Sequence, residues 1–190
     1  MKHCFIINPV AGKINKENCK NGIERVCSKR GLDYKIFISE RKGDVRRIAC
    51  EAITAGFKYI YAIGGDGTVN EAANSVIAHA VNEGKNDVVL IPVASGTGND
   101  FVRSFDTAEK YKRFVSNIRK CDARKRTDCG MWEKYVSAAI DGEIKNIDCA
   151  KVNDMYFINI ASMGMDACVV YNAVKYKQSK FIPEIRKSVG

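Results

Sequence analysis

The 190-residue sequence predicts an α/β fold: a doubly wound, mostly parallel sheet followed by the start of a β-rich second domain. Through about the first 120 residues, short apolar runs alternate with segments whose apolar residues recur at helical spacing. The near-continuous apolar run "DVVLIPV" (87–93) is typical of a strand that is covered on both faces. Further along, the alternation gives way to a basic stretch and then to strand-like runs, so we predict two domains, 1–125 and 126–190.

Four strands are predicted in the first domain, at "HCFIIN" (3–8), "DYKIFIS" (33–39), "KYIYAI" (58–63) and "DVVLIPV" (87–93). The helices between them are marked by their ends. The first runs from Asn15 to Arg30 and is followed by Gly31, a residue suited to the position after a helix. Asp44 is predicted to cap the second helix. Capping-box patterns, Thr68-x-x-Glu71 and Asp106-x-x-Glu109, open the third and fourth.

The remainder of the chain is predicted to be mostly strand. "RKCDARKRTDCG" (119–130) is basic and polar, and "YVSAAID" (135–141) after it is an apolar run that we interpret as a strand. "NIDCAKVNDMYFINIAS" (146–162) is predicted to form a hairpin that turns at Asn153-Asp154. Only about 60 residues follow the first domain, so the second domain is expected to be incomplete in this sequence.

Composition and charge limit the classes of function. No apolar run approaches the roughly 20 residues that span a bilayer, and the start of the chain does not fit a signal peptide, so we expect a cytoplasmic protein. The eight cysteines lack metal-ligand spacing and are interpreted as reduced thiols, and His3 and His79 as structural residues. The net charge of +9 suits nucleic acid, anionic lipid or phosphorylated ligands, or only a solvated surface. Aromatic residues do not interleave with the basic ones, so we expect no nucleic-acid partner.

Two glycine-containing segments follow the third and fourth strands, "GGDGTVNE" (64–71) and "SGTGNDFVRS" (95–104). In an open α/β sheet, ligands bind beyond the carboxyl ends of the strands. Glycines allow positive φ angles and close approach of the backbone, so these amides could form a nest for phosphate groups, helped by the helix that follows. Asp66 would then orient a lysine, a water or Mg²⁺ rather than touch phosphate. The alternative is that the glycines form tight turns and nothing more. Neither segment is a GxGxxG fingerprint or a P-loop.

At these residues the sequence resembles the diacylglycerol kinase catalytic-domain family, in particular the soluble bacterial lipid kinases. "NPVAG" (8–12) with Lys13 resembles the family's opening motif, "GGDGTVNE" its central motif and "GTGNDFVRS" its second signature. GGDG also occurs in NAD kinases and phosphofructokinases, whereas the second signature favours lipid kinases. Sphingosine kinases are similar as well, but they usually lack the acid at the position of Asp100. "NIDCAKVNDMYFINIASMGMDACVV" resembles the family's entry into its second domain.

The resemblance implies a fold like that of NAD and diacylglycerol kinases, with ATP bound in an interdomain cleft and a lipid-substrate second domain. The implied nucleotide-binding residues are Asn8, Pro9, Val10, Ala11, Gly12, Ser39, Gly65, Asp66, Gly67, Thr68, Val69, Asn70, Glu71 and Thr97. Asp66, Asp100 and Asp148 match acids of a water-bridged Mg²⁺ network, and Asp66 and Asp100 are the implied catalytic residues. The implied substrate is a diacylglycerol-like lipid at the membrane surface, in phospholipid metabolism. A peripheral location on the inner membrane surface and a homodimer are hypotheses that the sequence leaves open.

Two departures from the family pattern stand out. "PVASGT" carries two extra residues between Pro92 and Gly96, and the family's general base and direct magnesium ligands are expected beyond Gly190. A catalytically incomplete nucleotide-binding fragment is therefore one alternative function. A kinase for a soluble acceptor, such as NAD or a sugar phosphate, is another. The late basic residues could face lipid headgroups or simply be solvated; they are Lys175, Lys177, Lys180, Arg186 and Lys187.

Overall fold

The computed structural model describes residues 1–11, 14–96, 98–105 and 129–178. The chain divides into two compact units, Met1–Asn159 and Ile160–Gly190. The first holds a parallel four-stranded sheet in the order β2-β1-β3-β4 and a separate antiparallel hairpin. The predicted α/β class with a mostly parallel sheet is confirmed. The division into domains at residue 125 stays a prediction.

The elements of the first unit alternate along the chain as expected. Its strands and helices are β1 (Lys2–Ile7), α1 (Lys16–Arg30), β2 (Asp33–Ile38), α2 (Asp44–Thr54), β3 (Phe57–Gly64), α3 (Asp66–Glu83), β4 (Val89–Ala94), α4 (Asp100–Ser104), α5 (Cys129–Ile140), β5 (Ala150–Val152) and β6 (Met155–Phe157). In the second unit the described residues form one helix, α6 (Met165–Gln178). No helix within the described ranges is both long enough and apolar enough to cross a membrane.

Strand β1 lies at the centre of two hydrophobic cores. Side chains alternate between the faces of a strand, so Cys4 and Ile6 join the core under α2 and α3. Phe5 and Ile7 join the core under α1 and α5 on the opposite face. The result is a three-layer arrangement, which explains why the strands of this sheet are apolar on both sides.

The order of the strands creates a crevice between β1 and β3. From β1 the chain crosses to β2 on one side, and it then returns past β1 to form β3 on the other. Connections that leave in opposite directions separate above the sheet, and ligands of open α/β folds bind at such switch points. Asn8 follows β1 and Gly65 follows β3, so both lie at this crevice.

The predicted extent of α1 is confirmed to within one residue. The side-chain oxygen of Asn15 accepts a hydrogen bond from the Asn18 N–H (3.0 Å) and caps the helix. Gly31 ends it in the left-handed conformation (φ 63°), and its N–H donates to the Ser28 carbonyl (3.2 Å).

The predicted starts of α2 and α3 are wrong, by one residue and by three residues respectively. Helix α2 begins at Asp44 with Gly43 (φ 87°) as its cap, so Asp44 is a first-turn residue and not the cap. Helix α3 begins at Asp66 with Gly65 before it, and the Thr68-x-x-Glu71 capping box does not form. Tertiary contacts use both side chains instead: Thr68 accepts from Asn8 and Glu71 accepts from Gly43.

The strand predicted at "YVSAAID" is also wrong, because this segment belongs to helix α5. Its buried residues Trp132, Tyr135 and Val136 recur at helical spacing and pack in the core with α1. Contact between the helices is close at Gly22, where an added Cβ would lie 2.5 Å from the Trp132 Cβ.

The hairpin is confirmed, with Asn153 (φ 52°) in its turn. The helix predicted after Asp106 and residues 119–128 lie outside the described residues.

Candidate functional site

A cleft of about 380 Å³ opens at the carboxyl ends of β1, β2 and β3. Three loops contribute to it, one after each strand, together with the first turns of α2 and α3. Its lining comprises Asn8, Val10, Ala11, Ser39, Glu40, Arg41, Lys42, Val45, Gly65, Gly67, Thr68 and Glu71. The cleft therefore lies where the strand order predicts a ligand site.

Asn8 joins the floor of the cleft to the sheet. Its backbone N–H donates to the Ile63 carbonyl (2.9 Å), which extends the pairing of β1 with β3. Its side-chain Nδ2 donates to the Thr68 hydroxyl (2.9 Å), and its Oδ1 accepts from the Val10 N–H (3.2 Å). One side chain thus fixes the first turn of α3 against the loop that follows β1.

The glycines of the two signatures allow close packing and do not adopt positive φ angles. None of Gly64, Gly65, Gly67 and Gly96 lies in the left-handed region, so the positive φ angles that a nest could use are not found at these four positions. A Cβ on Gly64 would overlap the Thr68 side chain, and one on Gly96 would lie 2.5 Å from the Gly65 Cα. Gly67 differs, since a Cβ there would meet nothing within 4 Å. Gly67 lines the cleft, so the absence of a side chain there leaves room for a ligand.

Asp66 and Asp100 face the same position above Gly98. The Oδ2 atoms of both carboxylates lie 3.2 Å from the place that a Cβ on Gly98 would occupy. Asp66 also accepts the Phe101 N–H through Oδ1 (3.0 Å), which ties α3 to α4. Asp148 is exposed before the hairpin, and within the described residues no three His, Cys, Asp or Glu side chains form a group that could hold a metal ion.

The loop between β2 and α2 forms one wall of the cleft. It begins at Ser39, whose N–H donates to the Ile7 carbonyl (2.9 Å) and whose buried hydroxyl lies 3.4 Å from the same oxygen. It ends at Gly43, whose N–H donates to Glu71 Oε1 (3.2 Å). The other carboxylate oxygen of Glu71, Oε2, is buried without a hydrogen-bond partner in the part of the chain that the structure describes. Buried polar atoms without a partner are uncommon in folded proteins.

The structure brings together most of the residues expected at the nucleotide site. Asn8, Ala11, Ser39, Gly65, Gly67, Thr68, Glu71 and the exposed Val10 line the cleft. Pro9, Asp66, Val69 and Asn70 are not in its lining. Val69 is buried in the core beneath α3, and its N–H donates to the Gly65 carbonyl within the helix. Gly12 and Thr97 lie outside the described residues.

Several lining residues were not predicted from the sequence. Glu40, Arg41 and Lys42 lie on the β2–α2 loop, and Val45 on the first turn of α2. Their position directly after a strand of a parallel sheet is the signal that could have identified them. Arg41 and Lys42 place two cations at the mouth of the cleft, a charge that suits an anionic ligand.

Residues 2–152 match the model of the diacylglycerol kinase catalytic domain. The chain belongs to this family. The diacylglycerol kinase of Bacillus subtilis is 33% identical to it over 168 residues, which cover 86% of this chain and 46% of that protein. The diacylglycerol kinase of Staphylococcus haemolyticus is 30% identical, over 90% of this chain and 44% of that protein.

Solved structures of the diacylglycerol kinase family share the fold. A crystal structure of a diacylglycerol kinase from Bacillus anthracis strain Sterne matches with a TM-score of 0.59 and 21% identity, over 90% of this chain and 52% of that one. The probable lipid kinase YegS-like of Cronobacter sakazakii is 29% identical over 80% of this chain. The chain spans about half the length of the curated relatives that it matches.

Proposed function

We propose that this chain provides the nucleotide-binding part of an ATP-dependent lipid kinase of the diacylglycerol kinase type, which phosphorylates a lipid hydroxyl. The observation that carries the proposal is the cleft itself. Residues of a kinase family's opening and central motifs meet there with Ser39 at a strand-order switch point; they are Asn8, Gly65, Gly67, Thr68 and Glu71. A soluble acceptor is disfavoured by the family match and by the lipid kinase names of the relatives.

The cleft offers groups that suit the phosphates of a nucleotide. The first turn of the 18-residue helix α3 presents free backbone N–H groups and the positive end of its dipole, which favour phosphate. Gly67 lines the cleft and leaves open space beside that turn. Asn8 and Ser39 orient the two loops on either side.

Bound ATP with Mg²⁺ would supply the γ-phosphoryl group and much of the charge neutralisation that its transfer needs. Asp66 and Asp100 are the acids best placed to orient Mg²⁺ through water, because their carboxylates face one position above Gly98. The parts of these acids and of Asp148 in a magnesium network stay predictions. The chain's own contribution to catalysis would be to position the nucleotide for transfer to the acceptor hydroxyl.

A second candidate is a module that binds ATP without transferring phosphate. It is favoured by one observation, that the chain covers 44–46% of the curated kinases it matches. It predicts the same cleft and the same nucleotide affinity. Phosphoryl transfer therefore decides between the two.

The test has two arms, both with the purified 190-residue chain. Binding of ATP is measured by isothermal titration calorimetry with and without Mg²⁺. Transfer of labelled γ-phosphate is measured to diacylglycerol in mixed micelles and, in parallel, to NAD in solution. Binding with transfer to the lipid supports the kinase, and binding alone supports the module. Transfer to NAD only, or no binding, would contradict the proposal.

The matched variants are Asp66→Asn and Asp33→Asn. Asp33 is exposed at the amino end of β2, at the opposite edge of the sheet, so its variant controls for the loss of one negative charge. We expect Asp66→Asn to lower transfer at least about a hundredfold if it holds Mg²⁺ in position, and Asp33→Asn to leave it unchanged. Equal activity of the two variants would refute the role of Asp66.

A further inference from the structure

The carboxylate of Asp44 makes the main polar contacts with the β2–α2 loop, residues Ser39–Gly43. It accepts hydrogen bonds through Oδ2 from the backbone N–H groups of Glu40 (3.0 Å) and Arg41 (3.2 Å). Through Oδ1 it lies 3.5 Å from Arg41 Nε and from Arg47 Nη2. Asp44 is 6% exposed, although it is charged and lies at the surface end of a helix. Buried carboxylates are held this way where they organise the backbone around them.

The contacts of Asp44 keep it ionised. The N–H of Glu40, then that of Arg41 and the charges of Arg47 and Arg41, lower the pKa of this carboxyl below its ordinary value against the opposing effect of burial. An ionised carboxylate accepts stronger hydrogen bonds than a neutral group of the same shape. The backbone of the loop is therefore bound to a negatively charged side chain in the first turn of α2.

The same loop is fixed at its far end by the helix that carries the central motif. The Gly43 N–H, next to Asp44 in the chain, donates to Glu71 Oε1. Asp44 thus shapes the first half of the loop, and Glu71 ties its second half to α3. Between these two attachments stand Arg41 and Lys42, which line the cleft. Without the Asp44 carboxylate, two backbone N–H groups of the wall would lose their partner.

We propose that Asp44 is a positioning residue of the nucleotide site, which holds the Ser39–Gly43 loop as a wall of the cleft without itself contacting the ligand. The proposal rests on the proposed function, since it assigns the loop to a nucleotide. The claim that Asp44 orders the loop does not depend on the proposed function, because the order of the loop can be measured with no ligand present. Asp44 does not line the cleft, so its effect on affinity has to pass through the loop.

The first measurement is limited proteolysis, because Arg41 and Lys42 are trypsin sites within the loop. Cleavage tracks the population of the open form when opening is fast. We expect Asp44→Ala to be cleaved after Arg41 or Lys42 about tenfold faster than the natural chain. The cleavage products are identified by mass spectrometry. Asp44→Asn keeps one acceptor oxygen and should fall between the two. Cleavage of Asp44→Ala at the rate of the natural chain would overturn the proposal.

The matched control is Glu51→Gln on the same helix. Glu51 pairs with Arg47 on the exposed side of α2 and makes no contact with the loop in the described structure. Its variant should leave the rate of cleavage at Arg41 and Lys42 unchanged. Faster cleavage there in Glu51→Gln would show that a change elsewhere on α2, through Arg47 or through general loosening of the helix, is enough to open the loop without removal of the Asp44 carboxylate.

The second measurement is nucleotide affinity at a temperature where thermal unfolding shows every variant to be folded. Asp44→Ala should bind ATP about tenfold more weakly, Asp44→Asn less so, and Glu51→Gln as the natural chain does. A natural chain that binds no ATP contradicts the proposed function, while the proteolysis still tests the loop. Faster cleavage of Asp44→Ala with unchanged ATP affinity would refute Asp44 as a positioning residue for the nucleotide.

Discussion

The side chain of Asn74 pairs with the backbone of Tyr156 in both directions. Its Nδ2 donates to the Tyr156 carbonyl (2.9 Å), and its Oδ1 accepts from the Tyr156 N–H (2.9 Å). Asn74 is fully buried, and its Nδ2 also donates to the Asn70 carbonyl (2.9 Å). The amide thus replaces a neighbouring strand for β6 and attaches the hairpin to the helix whose first turn lines the cleft.

Substitution of Asn74 by alanine should therefore destabilise the protein. The change leaves two partly buried backbone groups of Tyr156 without their side-chain partner, which costs about 1–3 kcal/mol in the free energy of unfolding. Urea denaturation of Asn74→Ala against Asn82→Ala measures it. Asn82 is exposed on the same helix and serves as the control, with an expected change within about 0.5 kcal/mol. Equal stability of the two variants would show that the hairpin does not depend on this pair.

The two types of glycine in the signatures should respond in opposite ways to alanine. Gly96→Ala places a Cβ against the Gly65 backbone, so we expect a loss of about 1–3 kcal/mol in the free energy of unfolding. Gly67 lies in helix α3, and a Cβ there meets no neighbouring atom. The free energy of unfolding of Gly67→Ala should therefore stay the same or rise by up to about 1 kcal/mol. Its ATP affinity should nevertheless fall, because the methyl group enters the cleft. Thermal unfolding and calorimetry of both variants test this, and an unchanged affinity of Gly67→Ala would contradict it.

The buried cysteines should resist modification. Burial raises the pKa of the Cys4 and Cys19 thiols to about 12 and that of Cys27 to about 11, so at pH 8 almost none of these groups is the reactive thiolate. The exposed Cys50, Cys149 and Cys168 should react. Iodoacetamide labelling of the native chain, followed by peptide mapping, gives the comparison. Labelling after denaturation is the control, and early reaction at Cys19 would show that α1 opens readily.

Asp87 should contribute to stability in a manner that depends on pH. Hydrogen bonds from Lys58 and His79 lower the pKa of this carboxyl from 3.8 to about 2. The folded state therefore favours the ionised form, so the contribution is present above pH 4 and is lost as the pH falls toward 2. We expect the Tm of Asp87→Asn to lie below that of the natural chain at pH 7, with a difference that shrinks at pH 3.

Salt provides the check on that result. The side chain of Asp87 is 41% exposed, so its pairing is screened by counter-ions. In 1 M sodium chloride the Tm difference at pH 7 should decrease. A difference that depended on neither pH nor salt would indicate that asparagine disturbs the packing near β4 and not the charge.

The sequence was sufficient to predict the order of the elements where local signals agree with the tertiary structure. Apolar runs predicted β1 to β4, and helical spacing followed by Gly31 predicted α1 to within one residue, because these signals depend on neighbours in the chain. The position of the cleft followed from the same reasoning, since the carboxyl ends of parallel strands must share an edge.

The errors arose where distant contacts took over a local pattern. Thr68 and Glu71 have the spacing of a capping box, but Asn8 and Gly43 bind them instead, and α3 starts before them. "YVSAAID" reads as a strand when taken alone, whereas Trp132 upstream completes a helical stripe that packs on α1. The role of Asn74 could not be predicted, because its partner lies 82 residues away.

Because Gly96 and Gly65 are in backbone contact, these two distant positions of the sequence are expected to change together in evolution. A side chain on Gly96 is excluded by the Gly65 backbone, and a Cβ on Gly65 would lie 3.3 Å from the Gly96 Cα. A side chain at one position therefore requires a shift of the backbone at the other. The two positions are 31 residues apart in the sequence. Recombination that exchanged β3 and β4 between relatives would preserve this fit only where the crossover carried both loops together.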